Sequence, residues 1–433
     1  ESSGLAPTYA SLANAITALN GATITAPVVI TLSGNETAPL GGYSITASGT
    51  SDNTITIQGN NSIITAFSPQ ATGSLNDAIF KIIGGDFITI QNFTMQENSS
   101  NTVNTPAASN TMTEFGVALF YATTTNGCQN ITIHNNTISL NRVYANTFGI
   151  YANSTHSATN MTTAATATGA AGGNHNLVVT ANNISNVNQG IVVVGPTAAA
   201  DQNTGMVIGG SLANANTISN YGTAAQLSSY SNVSGTMNGI LVRNTNGFSV
   251  THNNVTSSAG GVTTGTLRGI YHVAHSSAPT HTFTNNVTHN TISVQGGAAG
   301  TNIAGIILES TCASTTSSLN FNNNNIANLN HTVNATTAIT ALSNASTHQH
   351  ISVSNNTFTN LSPNTSGGFT FISNSVTLPA NGSKNVNNNS IVGTFNKTVA
   401  GGTVIVYTDN ASSPAGTIVN NNNNNFSNIT VTG

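Results

Sequence analysis

The stretch Asn238-Gly239-Ile240-Leu241-Val242-Arg243-Asn244-Thr245-Asn246-Gly247-Phe248-Ser249-Val250-Thr251-His252-Asn253-Asn254-Val255-Thr256 contains the unit from which the chain is built. A glycine opens a short apolar run and a polar loop follows. Phe248 and Val250 then alternate with polar neighbours, and an asparagine stands two residues before the next apolar side chain. Alternation with a period of two gives a strand one apolar and one polar face. The Asn-x-apolar element recurs as Asn61-Ser62-Ile63, Asn136-Thr137-Ile138, Asn182-Asn183-Ile184 and Asn216-Thr217-Ile218. It continues as Asn290-Thr291-Ile292, Asn324-Asn325-Ile326, Asn356-Thr357-Phe358, Asn389-Ser390-Ile391 and Asn424-Asn425-Phe426, with a divergent copy around Gln91-Asn92-Phe93. From Asn182 onward the step is 32 to 37 residues. The glycine element keeps pace at Gly149-Ile150, Gly190-Ile191, Gly269-Ile270, Gly305-Ile306 and Gly368-Phe369.

Repeats of this length mark solenoids and related arrays. Helical repeats are excluded, because Asn, Thr, Ser and Gly are poor helix formers and the apolar period is not 3.6. Three short strands per repeat make one turn of a parallel β-helix. The expected fold is therefore all-β, a right-handed parallel β-helix of about a dozen turns, a rod on the order of 55 Å long. Ile150, Ile191, Ile240, Ile270 and Ile306 should stack in one inward column. Asn136, Asn182, Asn216, Asn253, Asn290, Asn324, Asn356 and Asn389 should form a ladder of side-chain amides at a sharp bend, where asparagine tolerates left-handed backbone angles.

Residues 1–21 read as an arm and a capping helix. Thr8 is the expected N-cap, Tyr9, Leu12, Ala13, Ile16 and Leu19 line one face, and Asn20-Gly21 stops the helix. Residues 22–433 read as a single β-helix, with loop insertions near 98–110, 155–173 and 220–236 coming off one edge. The last segment, Ile429-Thr430-Val431-Thr432-Gly433, looks like an uncapped strand.

Only 4% of the 433 residues are charged, six Lys+Arg against ten Asp+Glu, for a net charge of -4. Disordered chains usually combine low hydrophobicity with high net charge, and here the apolar residues recur at fixed intervals. Six scattered cations exclude a nucleic-acid surface and a polybasic membrane anchor. No apolar run approaches the ~20 residues that cross a bilayer.

The run Tyr9-Ala10-Ser11-Leu12, the run Ala15-Ile16-Thr17-Ala18-Leu19-Asn20 and the segments Ala26-Pro27-Val28-Val29-Ile30 and Gly42-Tyr43-Ser44-Ile45-Thr46 carry a resemblance. The most specific stretch is Asp77-Ala78-Ile79-Phe80-Lys81-Ile82-Ile83-Gly84-Gly85-Asp86-Phe87-Ile88-Thr89. Over roughly the first hundred residues the chain resembles secreted parallel β-helix surface proteins of Bacteroidota. The resemblance implies export, often by the type IX route, with the signal peptide and a C-terminal sorting domain removed, and an extracellular or cell-surface location.

β-Helix enzymes that cleave acidic polysaccharides need clustered carboxylates, often beside Lys or Arg. The ten acidic residues form no close pair in the sequence. Arg243 and Glu309 occupy equivalent places two repeats apart, about 10 Å, so no active site is expected there. Arg268, His272, His275 and His281 share one repeat and form a candidate patch for a sugar or acid ligand. His252 and His289 should stack outward, with too few partners for a metal site. Some of the Asn-X-Ser/Thr sequons, such as Asn92-Phe93-Thr94, are potential glycan acceptors.

The leading expectation is an extracellular structural or adhesive protein without catalysis or cofactor. It would self-associate head-to-tail or edge-to-edge into a filament, and cell-surface glycans would be its other partners. The alternative is a polysaccharide lyase, a hydrolase or a glycan-binding module. Cys128 and Cys312, five or six turns and on the order of 25 Å apart, should not bridge, since a disulfide needs Cα atoms within ~7 Å.

Overall fold

Strands of the repeat pair only with their counterparts one repeat away, and this produces three long parallel sheets of twelve, twelve and eleven strands. The structure is a computed structural model that describes residues 3–71, 77–104, 110–153, 167–222, 236–259, 264–273, 282–309 and 316–432. Sheet A runs from Val28–Thr31 to Ile418–Asn422, sheet B from Glu36–Thr37 to Ile429–Val431, and sheet C from Tyr43–Ile45 to Val404–Thr408. Each coil contributes one strand to each sheet in turn, so the chain is a parallel β-helix of twelve coils.

The interior is a single apolar column. Ile150, Ile191, Ile240, Ile270 and Ile306 pair in register and are all buried. The glycine before each isoleucine has a packing reason. A Cβ on Gly269 would lie 2.7 Å from the Gly305 carbonyl oxygen and would also strike Ile292, which reaches across from sheet B.

At the bend between sheets A and B the eight asparagines named above are buried. Each Nδ2 donates to the Oδ1 of the asparagine one coil on, at 2.9–3.1 Å, and Asn424 ends the series. The left-handed backbone belongs to the residue before the amide in every case but Asn216, where Ala215 has φ -57°. Asn135, His252, His289, Asn323, Asn355 and Asn388 have φ between 51° and 60°, while the ladder asparagines do not. In the early coils the phase differs from the sequence reading. Ser62, rather than Asn61, holds the slot in one coil and Phe93 holds it in the next, where its N–H donates to Asn136 Oδ1.

The N-terminal helix spans Leu12–Asn20, three residues shorter at its start than expected. Ser11, not Thr8, is its cap and accepts from the Asn14 N–H at 3.2 Å. Glu36 takes the Leu12 N–H, so the first coil also secures the helix. The helix packs on the first strand of sheet C. Much of the expected insertions, residues 105–109, 155–166 and 223–235, lies outside the described residues; segments 97–114 and 222–235 connect a strand of sheet B to one of sheet C, and 154–177 connects a strand of sheet C to one of sheet A.

Candidate functional site

With so few charged residues, their placement carries most of the functional information. Several have structural partners. Glu36 fastens the helix, Asp86 takes the Gln129 N–H at 2.7 Å, and Asp201 takes the Gly169 N–H at 3.0 Å. Lys384 pairs with Asp409 at 2.8 Å, Lys397 donates to the carbonyls of Val399 and Gly401, and Arg142 donates to the Gly222 carbonyl at 2.9 Å. Apart from the exposed Asp52, two groups remain among the described residues, and both lie on the sheet C side of the coil.

The first group sits on the outer face of sheet C over three successive coils. Register places Leu241 beside Tyr271 and Tyr271 beside Ile307, and it places Arg243 beside Val273. Strand alternation then points Tyr271 outward and its neighbour His272 inward. The Arg268 guanidinium lies 3.9 Å from the Tyr271 ring centroid, and the Tyr271 hydroxyl donates to Glu309 Oε2. Arg243 stands one coil before Tyr271 and Glu309 one coil after, so the tyrosine spans the gap that made the Arg243–Glu309 pairing look too wide. Half-burial on an apolar ground of Leu241, Val273 and Ile307 pushes the pKa of both arginines down. Burial, reinforced by the bond to Glu309, pushes the Tyr271 phenol up to about 12. No hydrogen bond among the described residues occupies either guanidinium. The patch thus offers two cations with open donors, a phenol held protonated and one carboxylate.

The second group lies on the second and third coils and is buried. Asp77, four residues before Lys81, faces Glu114 from the neighbouring coil. The Asp77 N–H donates to Glu114 Oε2 at 3.0 Å, and the Glu114 N–H donates to the Asp77 carbonyl at 3.0 Å. Tyr144 adds its hydroxyl to Glu114 Oε1 at 2.8 Å. Glu97 is held by the Thr113 N–H and hydroxyl and by Asn101 Nδ2. Asp77 Oδ2 is buried without a partner. Burial raises all three carboxyls, Asp77 to about 7 against the pull of Lys81, and lowers Lys81. Asp77 and Glu114 are 37 residues apart, one repeat, and that spacing was the signal available in the sequence.

Of the candidate patch, the structure keeps Arg268 on the outer face and removes His272 from it. His272 is 2% exposed, paired beside the core residue Leu308, with its ring 4.8 Å from that of Phe248. His275, His281 and Cys312 lie outside the described residues. Tyr271 was missed because tyrosine is not distinctive until its face is known. His252 and His289 stack with centroids 4.6 Å apart. Among the described residues no three His, Cys, Asp or Glu side chains converge as a metal ion requires.

No family model matches the chain, and no curated protein matches it. The Dettilon tailspike protein is similar with a TM-score of 0.41 and 12% identity, over 96% of this chain and 64% of that one. This chain therefore spans less than two thirds of the tailspike's length. The A-module of the mannuronan C-5 epimerase from Azotobacter vinelandii gives 0.35 and 13%, over 94% and 93%. The Streptococcus pneumoniae surface protein and adhesin PfbA gives 0.26 and 9%, over 99% and 98%. At these identities the likeness is one of fold.

The expectation of a chain without catalysis is corrected here. An epimerase module is among the β-helices to which this chain is similar. The carboxylates that look scattered in the sequence are also brought together by the coil.

Proposed function

We propose that the chain is an extracellular glycan-active β-helix that holds an acidic polysaccharide on the outer face of sheet C and cleaves it by β-elimination. One observation carries this reading. Two of the three arginines of the chain, Arg243 and Arg268, flank a Tyr271–Glu309 pair on that face, with no protein acceptor among the described residues. Guanidinium groups bind carboxylates through paired donors, and half-burial strengthens the attraction.

The chemistry follows from the groups present. The arginines neutralise a uronate carboxylate, which makes the proton on the adjacent ring carbon easier to remove. Glu309 takes that proton, the ring double bond forms, and the glycosidic C–O bond breaks. Tyr271, protonated at neutral pH, gives its proton to the departing oxygen. The proton on Glu309 then crosses the existing hydrogen bond to the phenolate, which restores both groups.

A panel of uronate-containing polymers tests this, with the ultraviolet absorbance of the unsaturated product as the readout. Tyr271→Phe should still bind polymer but not cleave it. Arg268→Ala should weaken binding in a salt-dependent way. Failure of the wild-type chain to bind any acidic polymer, or cleavage that yields only saturated ends, would refute the proposal.

A further inference from the structure

We propose a second saccharide site, for an uncharged pyranose, in a cavity on the third and fourth coils. The cavity encloses about 340 Å³ between segment 97–104 and the turn at 140–143. That is near the lower end of ligand-sized pockets, which begin at about 300 Å³. It lies three to four coils from Tyr271, roughly 15–20 Å along the axis at the spacing of neighbouring strands. It shares no residue with the Arg268 patch.

The lining has the two kinds of surface that a sugar ring presents. Met112, Leu140 and Val143 supply an apolar wall, with Val143 at the rim and 42% exposed. Among the polar lining residues, Asn101 is 2% exposed and its amide is fixed, with Nδ2 donating to the Phe67 carbonyl at 2.9 Å and to Glu97 at 2.8 Å. Its Oδ1 is buried and has no partner. A buried acceptor left unmade is costly, and a ligand hydroxyl would satisfy it. Asn141 also lines the cavity, and its Oδ1 is taken by the Val143 N–H at 3.1 Å, which directs its amide N–H₂ away from the turn. Glu97 has both oxygens engaged by Asn98, Asn101 and Thr113, so it serves as a rigid wall rather than as a free charge. An acceptor and a donor beside an apolar wall fit two neighbouring hydroxyls and the C–H face of a neutral pyranose.

The test is titration of the full chain with neutral gluco-, manno- and galacto-hexasaccharides, followed by calorimetry and by saturation-transfer NMR. The wild-type chain should bind at least one of them saturably. Val143→Trp, which fills the mouth from an exposed position, and Asn101→Leu should each weaken that binding at least about ten-fold. Arg268→Ala should leave it unchanged. If Asn101→Leu disturbs the coil, shown by circular dichroism, Val143→Trp alone decides the question. The proposal is overturned if no neutral hexasaccharide binds, if Val143→Trp binds as the wild type does, or if Arg268→Ala abolishes binding and so places the sugar on the acidic-polymer face. None of these outcomes depends on whether the chain cleaves a uronate polymer.

Discussion

Asn182 and Asn183 are adjacent and chemically identical, and they face opposite ways, so replacing each by alanine isolates the worth of the amide ladder. Asn182 is 1% exposed, and its Nδ2 donates to Ile133 O at 2.8 Å, Thr180 O at 3.0 Å and Asn216 Oδ1 at 3.1 Å. Its Oδ1 accepts from both the backbone N–H and Nδ2 of Asn136 at 3.0 Å. In Asn182→Ala the Asn136 N–H loses that partner inside the coil, whereas Asn136 Nδ2 keeps Ile90 O. An orphaned buried donor costs about 1–3 kcal/mol and each further lost bond about 1, so the variant should lose about 3–4 kcal/mol. Asn183 is exposed, and its replacement should stay within about 0.5 kcal/mol. A repeat chain of this length need not unfold in one step, so the suitable assay is native-state hydrogen exchange at the amides of Asn136 to Ser139. Asn182→Ala should speed exchange there on the order of a hundred- to a thousand-fold, and Asn183→Ala should leave it near the wild-type rate. Equal effects from the two variants would refute the ladder as a source of stability.

Three further outcomes are expected. Burial raises Asp77, Glu97 and Glu114 above the usual carboxylate range, so the contribution of each is complete below the unfolded pKa and is lost as pH rises through its folded value, about 7 for Asp77. Asp77→Asn should gain on the wild type in melting temperature between pH 4 and pH 8, by up to about 4 kcal/mol in stability. His331 and His348, lowered to about 4 by burial, act in the opposite sense, with stability complete above the unfolded pKa and lost as pH falls towards 4. His348→Gln should therefore shrink the acid loss in a pH series of denaturant melts. Gly269→Ala should destabilise the seventh and eighth coils, because its methyl group would collide with the Gly305 carbonyl and Ile292; limited proteolysis should find new cleavage there.

The fold was legible because a coil repeats its packing problem. Ile191 and Ile240 announce the core by recurrence alone, and the buried amides do so through the constancy of the Asn-x-apolar spacing. The phase slip at Ser62 and Phe93 was not legible, since Asn61 and Asn92 satisfy the same pattern while standing one residue early. The site was harder to read. Asp77 and Glu114 meet through a one-repeat offset in the early coils, where the repeat is least regular. Tyr271 and His272 differ only in which face they take, and that depends on a strand phase which the nearby loops obscure in the sequence. The helix start was missed because Thr8 and Ser11 are both good caps, and the choice rests on Glu36, which lies beyond the helix.

The amide ladder has a direction. At every step from Asn136 to Asn424 the bond between amides runs one way, with an Nδ2 of the earlier coil donating to the Oδ1 of the later one. The dipoles therefore add along the rod rather than cancel, and each link polarises the next. Such a row behaves like a zip with identical teeth. A complete coil can be removed or duplicated and the row still closes, because the new neighbours present the same donor and acceptor. A deletion of part of a coil has no such remedy, since it leaves one tooth facing the wrong partner. Length variation in this architecture should accordingly come in whole coils, with partial insertions confined to the loops that connect with sheet C.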